Sequence, residues 1–236
     1  PLIDALSGKG PACKAQEQKL RIAVAKDSAF CFFYPLDAML LEQLGCELVY
    51  FSPIKGEMLP KQICGLILPG GYPELYAKAI SSNTLFLKQV KEAILEGLPT
   101  IAECGGFMVL HDAIEAPDGA FYPMAGLING CCNKGNRLMH FGYVSLTAAD
   151  DGLVAEKGSM LRAHEFHYWN STVPGSSFKV EKASNTASWE TGYSTDSLYA
   201  GFPHIPLSAN LDAAERFVSK AISYKNHLDQ RQGGGI

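Results

Sequence analysis

Thr100-Ile101-Ala102-Glu103-Cys104-Gly105-Gly106 is the stretch that decides the fold. A short apolar strand ends in small residues with a thiol at the tip, and Phe107 to Ala113 then reads as a short helix. A nucleophile elbow has this order, here written with cysteine. Glycines after the tip permit a tight turn, and the free N–H groups opening a helix favour a thiolate. A plain buried cysteine at a strand end fits the same stretch.

Upstream, Ile22-Ala23-Val24-Ala25, Glu47-Leu48-Val49-Tyr50-Phe51 and Ile63 to Leu68 are short apolar runs suited to parallel strands buried on both faces. Between them, Pro35 to Gly45 reads as a helix with proline in its first turn and a glycine stop, and Asn83 opens a helix to about Glu96, ended by Gly97. Strands alternating with helices imply an α/β fold: a mostly parallel, doubly wound central sheet with helices on both faces. Downstream, Met139 to Leu146, Met160 to Tyr168, Ser177 to Lys182 and Ser197 to Phe202 read as strands that extend this sheet with antiparallel elements. Leu211 to Tyr224 reads as a closing helix with Ala213, Ala214, Phe217, Val218 and Ala221 on one face.

The chain has 236 residues, 20 Lys plus Arg against 24 Asp plus Glu, and a formal net charge of -4. That length fits one generous domain, and the mild acidity gives no electrostatic reason to expect nucleic acid or an anionic membrane as a partner. No apolar run is long enough for a membrane helix. The 7 cysteines have no regular spacing and no CxxC pair, which fits a reducing cytoplasm and argues against structural zinc. Residues 1–19 read as a linker and 226–236 as a flexible tail, leaving 20–225 as the domain. Gly8-Lys9-Gly10 lacks the glycine and hydroxyl spacing of a phosphate loop.

Two further motifs belong with the elbow. Pro69-Gly70-Gly71-Tyr72-Pro73 follows the preceding strand, and loops at the carboxyl ends of adjacent strands share a crevice. Its glycines can turn N–H groups toward an oxyanion, although a plain turn has the same composition. In His164-Glu165-Phe166-His167-Tyr168, strand alternation sends Glu165 and His167 to one face and His164 to the other. A general base must reach the thiol, and a carboxylate on the same face could orient it; a metal site is the rival reading, disfavoured because the two histidines diverge. Asp27-Ser28-Ala29-Phe30 and Tyr34 follow the first strand and face the same crevice, as substrate contacts or a helix entry.

Together, Val24 to Tyr34, Phe51-Ser52-Pro53, Pro69 to Glu74, Ala102 to Gly106 and His164 to Tyr168 resemble the glutaminase domains of the cobyric-acid-synthase type, within the class I glutamine amidotransferases. The resemblance runs from about residue 20 to 225 and implies a flavodoxin-like glutaminase. It implies Cys104 as nucleophile, His167 as its activating histidine, and Gly70, Gly71, Tyr72 and Gly105 around the oxyanion and the glutamine. Other class I glutaminases show a His-x-Glu order, whereas here the carboxylate precedes in Glu165-Phe166-His167, and His204 in Gly201-Phe202-Pro203-His204 resembles a late family histidine, a rival base. The resemblance further implies an upstream synthetase domain using ATP and Mg2+ on a corrinoid or related tetrapyrrole. No cofactor is expected in the glutaminase part. Residues 1–19 would then be the inter-domain remnant, and the crevice at Asp27, Tyr34 and Tyr72 the docking face and ammonia exit. Two other readings stay open on the residues alone: a stand-alone cysteine amidohydrolase, and a non-catalytic scaffold module.

Overall fold

The computed structural model of the chain describes residues 19–233. Its first half alternates as expected: β1 (Leu20–Ala25), α1 (Pro35–Gln43), β2 (Cys46–Phe51), β3 (Gly65–Leu68), α2 (Ala77–Ser82), α3 (Thr84–Leu95), β4 (Thr100–Glu103) and α4 (Gly105–Val109). Asn83 caps α3, its side-chain oxygen accepting the Phe86 N–H at 3.3 Å, and Gly45 and Gly97 stop α1 and α3 at positive φ. The second half holds β5 (His111–Glu115), β6 (Phe121–Pro123), β7 (Ile128–Ala148), β8 (Met160–Ser171), β9 (Phe178–Lys182), β10 (Ser188–Thr191), β11 (Tyr193–Ser194), β12 (Leu198–Gly201) and α5 (Leu211–Gly233).

The central sheet has the order β11-β12-β4-β3-β1-β2, parallel except for β11. Its strands alternate between two cores. Ala23, Ala25, Leu66, Leu68 and Ala102 face one with Phe86 and Phe107; Ile22, Val24, Ile67 and Ile101 face the other with Leu41 and Phe217. Burial on both faces explains the near-continuous apolar runs.

The β-rich half departs from the expectation of one extended sheet. A second sheet forms, of order β10-β9-β7-β5-β6, with β8 paired to β7. Val144, Leu146, Leu161, Ala163, Phe178 and Val180 supply its apolar side, in the same core as Ile22 and Val24. The stretch at Ser197 to Phe202 is not an antiparallel extension either. It is β12, parallel to β4 with Gly201 beside Glu103, so the residues after it emerge at the same edge as Cys104.

Two boundaries also move. The helix after Cys104 stops at Val109, and His111 begins β5: its ring packs on Phe107 at 4.6 Å and pairing with β7 takes over the backbone. The closing helix runs past Tyr224 to Gly233, because Lys225 to Gln232 contains neither glycine nor proline to end it. The expected tail from 226 is therefore helical as far as Gly233. Residues 1–18 and 234–236, including most of the expected linker, lie outside the described residues.

Candidate active site

Cys104 stands where the carboxyl ends of β4, β3 and β12 meet. Its backbone adopts φ 47 and ψ -102, a left-handed strained conformation for a residue with a side chain. The turn is held because the Cys104 N–H donates to Gly201 O at 2.7 Å and its carbonyl accepts the Met108 N–H at 2.9 Å. The thiol is buried and its pKa is pushed up to about 12, first by burial and then by the Glu74 carboxylate; the Gly105 N–H opposes this. The expected thiolate-favouring helix end does not win. α4 has only 5 residues, and burial beside carboxylates outweighs its N–H groups.

Two buried histidine–glutamate pairs flank this cysteine. His204 turns Nδ1 toward Glu103 Oε2 at 3.7 Å, while Glu103 Oε1 accepts the Ile205 N–H at 2.8 Å. The other side of the His204 ring presses on Gly70. A Cβ placed there would sit 2.3 Å from His204 Cε1, 3.0 Å from its Nε2 and 3.3 Å from Cys104 Cβ. Only glycine leaves that space open, so the His204 ring and the Cys104 side chain both border the Gly70 backbone. Burial drives the His204 pKa down to about 3, so the ring is a neutral base, and pushes the Glu103 carboxyl up to about 8.

The second pair is the one expected from sequence. Glu165 and His167 share a face of β8, both buried, with His167 Nε2 3.6 Å from Glu165 Oε1. His167 Nδ1 donates to Trp169 O at 2.6 Å, and the ring stacks on Phe202 at 3.9 Å. A carbonyl only accepts, so Nδ1 carries the proton and Nε2 is left facing Glu165. His167 lines a cleft with Cys104, Phe32, Gly71, Tyr72, Glu74, Met108, Phe166, Tyr168 and Trp169. His164 points to the opposite face, yet it is no bystander: it stacks on His204 at 4.8 Å and shares a 3.0 Å hydrogen bond with the Tyr34 hydroxyl.

The glycine loop comes together as expected. A Cβ on Gly105 would lie 3.0 Å from Gly71 N, so the Gly71 and Gly105 backbones touch beside the thiol. The Tyr72 N–H, by contrast, is committed to Ala29 O at 3.0 Å, and what Tyr72 offers the cleft is its ring. Asp27 is a loop clamp. Its Oδ1 accepts the Ala29 and Phe30 N–H groups at 2.8 and 3.2 Å, and its Oδ2 accepts Ser52 Oγ and the Ile54 N–H at 2.9 and 3.1 Å. Both oxygens are thus occupied within the chain.

Sequence reasoning passed over Glu74, Glu103 and Asp37. Glu103 was in view as the residue before the thiol, but only the parallel pairing of β12 with β4 sets it against His204. Asp37, buried on α1, accepts the Leu207 and Ser208 N–H groups at 3.1 and 2.8 Å and ties down the segment carrying His204. Among the described residues no group of three His, Cys, Asp or Glu side chains is arranged to hold a metal, and Cys31, Cys46, Cys64, Cys104, Cys131 and Cys132 are free thiols. No helix among them is long and apolar enough to cross a membrane.

Residues 21–211 match the model of the CobB/CobQ-like glutamine amidotransferase domain. The chain belongs to that family. Cobyrinate a,c-diamide synthase of Caldanaerobacter subterraneus subsp. tengcongensis is 36% identical to the amidotransferase domain over 213 residues, 89% of this chain and 47% of the relative. The synthase of the same name from Salmonella typhimurium is 36% identical over 208 residues, 86% of this chain and 45% of the relative. The chain therefore spans about half the length of these relatives. The fold is that of PurLQS from Thermotoga maritima, with a TM-score of 0.57 at 16% identity over 88% of this chain and 99% of that one. A glutamine amidotransferase from Thermotoga maritima matches at 0.56 and 14% identity, over 92% and 86%. The flavodoxin-like α/β amidotransferase architecture expected from the sequence is thus the one observed.

Proposed function

We propose that this domain hydrolyses glutamine at Cys104 and delivers the ammonia to a synthetase partner that amidates a corrinoid carboxylate. The observation that carries the chemistry is the shared contact of Cys104 and His204 at Gly70, with Glu103 behind His204. The cobyrinate a,c-diamide synthases, at about twice this chain's length, support the synthetase partner; its use of ATP and Mg2+ and a cytoplasmic setting are part of the proposal.

Cys104 Sγ attacks the side-chain amide carbon of glutamine. Its proton passes to His204 Nε2 and then to the departing nitrogen, which leaves as ammonia. The Gly71 and Gly105 N–H groups receive the developing oxyanion. Water then attacks the glutamyl thioester, His204 accepting its proton, and glutamate leaves as the thiol re-forms. His204 takes the base role expected of His167 because its Nε2 side faces the thiol's neighbourhood, whereas His167 Nε2 is turned to Glu165. His167, backed by Glu165, then forms part of the cleft wall.

Burial and the Glu74 carboxylate disfavour the Cys104 thiolate in the unliganded domain, which fits activation by a partner. Exposed Tyr72, Phe166 and Tyr168 rim the cleft and give the partner an apolar landing surface. Rapid-quench mass spectrometry of the protein with glutamine tests the chemistry. A glutamyl adduct on Cys104 and its loss in Cys104→Ala, together with loss of ammonia release, are expected. Ammonia release by Cys104→Ala equal to the wild type would refute the mechanism.

A further inference from the structure

Glu74 has no role in the steps above, yet it sits in the reaction cleft. It lies on the turn Pro73–Tyr76 that follows the glycine loop, is 7% exposed, and lines the same cleft as Cys104 and His167. The other walls are Phe32, Tyr72, Met108, Phe166, Tyr168 and Trp169, and the cleft contains no lysine or arginine. Among the described residues no ion pair reaches Glu74, and its own backbone N–H is the one group favouring its charged form. Sinking a carboxylate into such a wall is costly unless a cation arrives to share the site.

We infer that Glu74 receives the α-ammonium group of glutamine and so selects amino-acid amides over simple amides. The inference rests on the glutaminase reading. The ammonium is the one cation that glutamine carries, and it lies a few bonds from the amide carbon that Cys104 attacks. A substrate held by its thiol-reactive end can place the ammonium within this same cleft, beside Glu74. Two charges then meet in a desolvated wall, where an ion pair is worth far more than at the surface. The pairing has a second consequence. The Glu74 charge is one of the causes that raise the Cys104 pKa, after burial. An ammonium beside Glu74 cancels that charge, so the correct substrate eases ionisation of the thiol that attacks it.

The test compares glutamine with glutaramate, which has hydrogen in place of the α-ammonium, by kcat/KM for ammonia release. The wild type is expected to prefer glutamine by about 10²–10³-fold, the scale of one lost partner of a buried charge pair. In Glu74→Gln that preference should collapse toward unity, chiefly through the loss of glutamine turnover. A Glu74→Gln protein keeping the wild-type preference would overturn the inference. A second arm needs no variant. Cys104 of the wild type is alkylated with 2-amino-5-chloro-4-oxopentanoate or with 5-chloro-4-oxopentanoate, and each rate is divided by that with glutathione. In both reactions a carbon–sulfur bond forms as chloride leaves. The amino reagent should react at least about 10²-fold faster, and equal normalised rates would overturn the inference. Failure of the wild type to release ammonia from glutamine, with or without a partner, would instead sink the glutaminase reading, while comparing the alkylation rates in the wild type and Glu74→Gln would still report on Glu74.

Discussion

His204→Ala should lower kcat for glutamine hydrolysis by about 10²–10⁴-fold, the range for a lost general acid–base. His167→Ala should cost no more than about a tenth of that factor, since its Nε2 faces Glu165 and not the thiol. Stopped assays of ammonia release on both variants decide between the two histidines, and the reverse ranking would return the base role to His167. His164→Ala should have an intermediate effect, because its ring stacks on His204. Glu103 makes a separate prediction about stability. Its folded-state pKa is raised to about 8 from an ordinary 4.5. Across that window the folded protein holds a proton that the unfolded chain has released, so Glu103's contribution is present at low pH and is lost as pH rises toward 8. His204 acts the other way and lower down. Its folded pKa near 3 makes the folded state gain stability as pH rises to about the ordinary 6.5, beyond which it contributes no slope. Glu103→Gln should therefore reduce the decline between pH 6.5 and 8, leaving the smaller part that Glu74, raised by burial to about 7, contributes, as urea titrations at those two values would read. An unchanged decline would show that the Glu103 carboxyl is ionised in the fold.

The elements hold these residues through side chains that satisfy loop backbones. Asp37 on α1 takes two N–H groups from the turn Leu207–Ala209, which follows the His204 segment. Asp37→Ala leaves those donors buried without partners and should cost about 1–3 kcal/mol in chemical denaturation. It should also lower glutaminase kcat by loosening His204. A variant as stable as the wild type would mean that water replaces the carboxylate without loss. Asp27 plays the same part for the loop after β1 and the Ser52–Ile54 turn, so its loss belongs with stability changes and not with a selective loss of partner response. The two-glycine loop follows the same logic in reverse. There the absence of side chains lets β3, β4 and the His204 ring close on one another.

At the scale of the molecule, the synthetase half of a longer relative, added in trans, should raise glutamine turnover. An isolated domain already at full rate would remove the coupling claim and leave the chemistry standing. The alternation of apolar runs and helices was enough, by itself, to determine the parallel sheet and the place of Cys104 at its edge. A strand buried on both faces must be apolar throughout, and a turn at its end must be built of small residues. The period of two along β8 likewise determined that Glu165 and His167 are buried together while His164 faces away. Tertiary structure alone decided that β12 joins the parallel sheet while β7, β8 and β9 leave it for a second one, since strand stretches carry no mark of the partner they pair with. That choice brings His204 and Glu103 together although they are 101 positions apart in the chain. It also decided the state of the thiol. A helix start after a cysteine suggests a lowered pKa, but the sign depends on how much water and how many carboxylates surround the sulfur, which only the packed fold supplies.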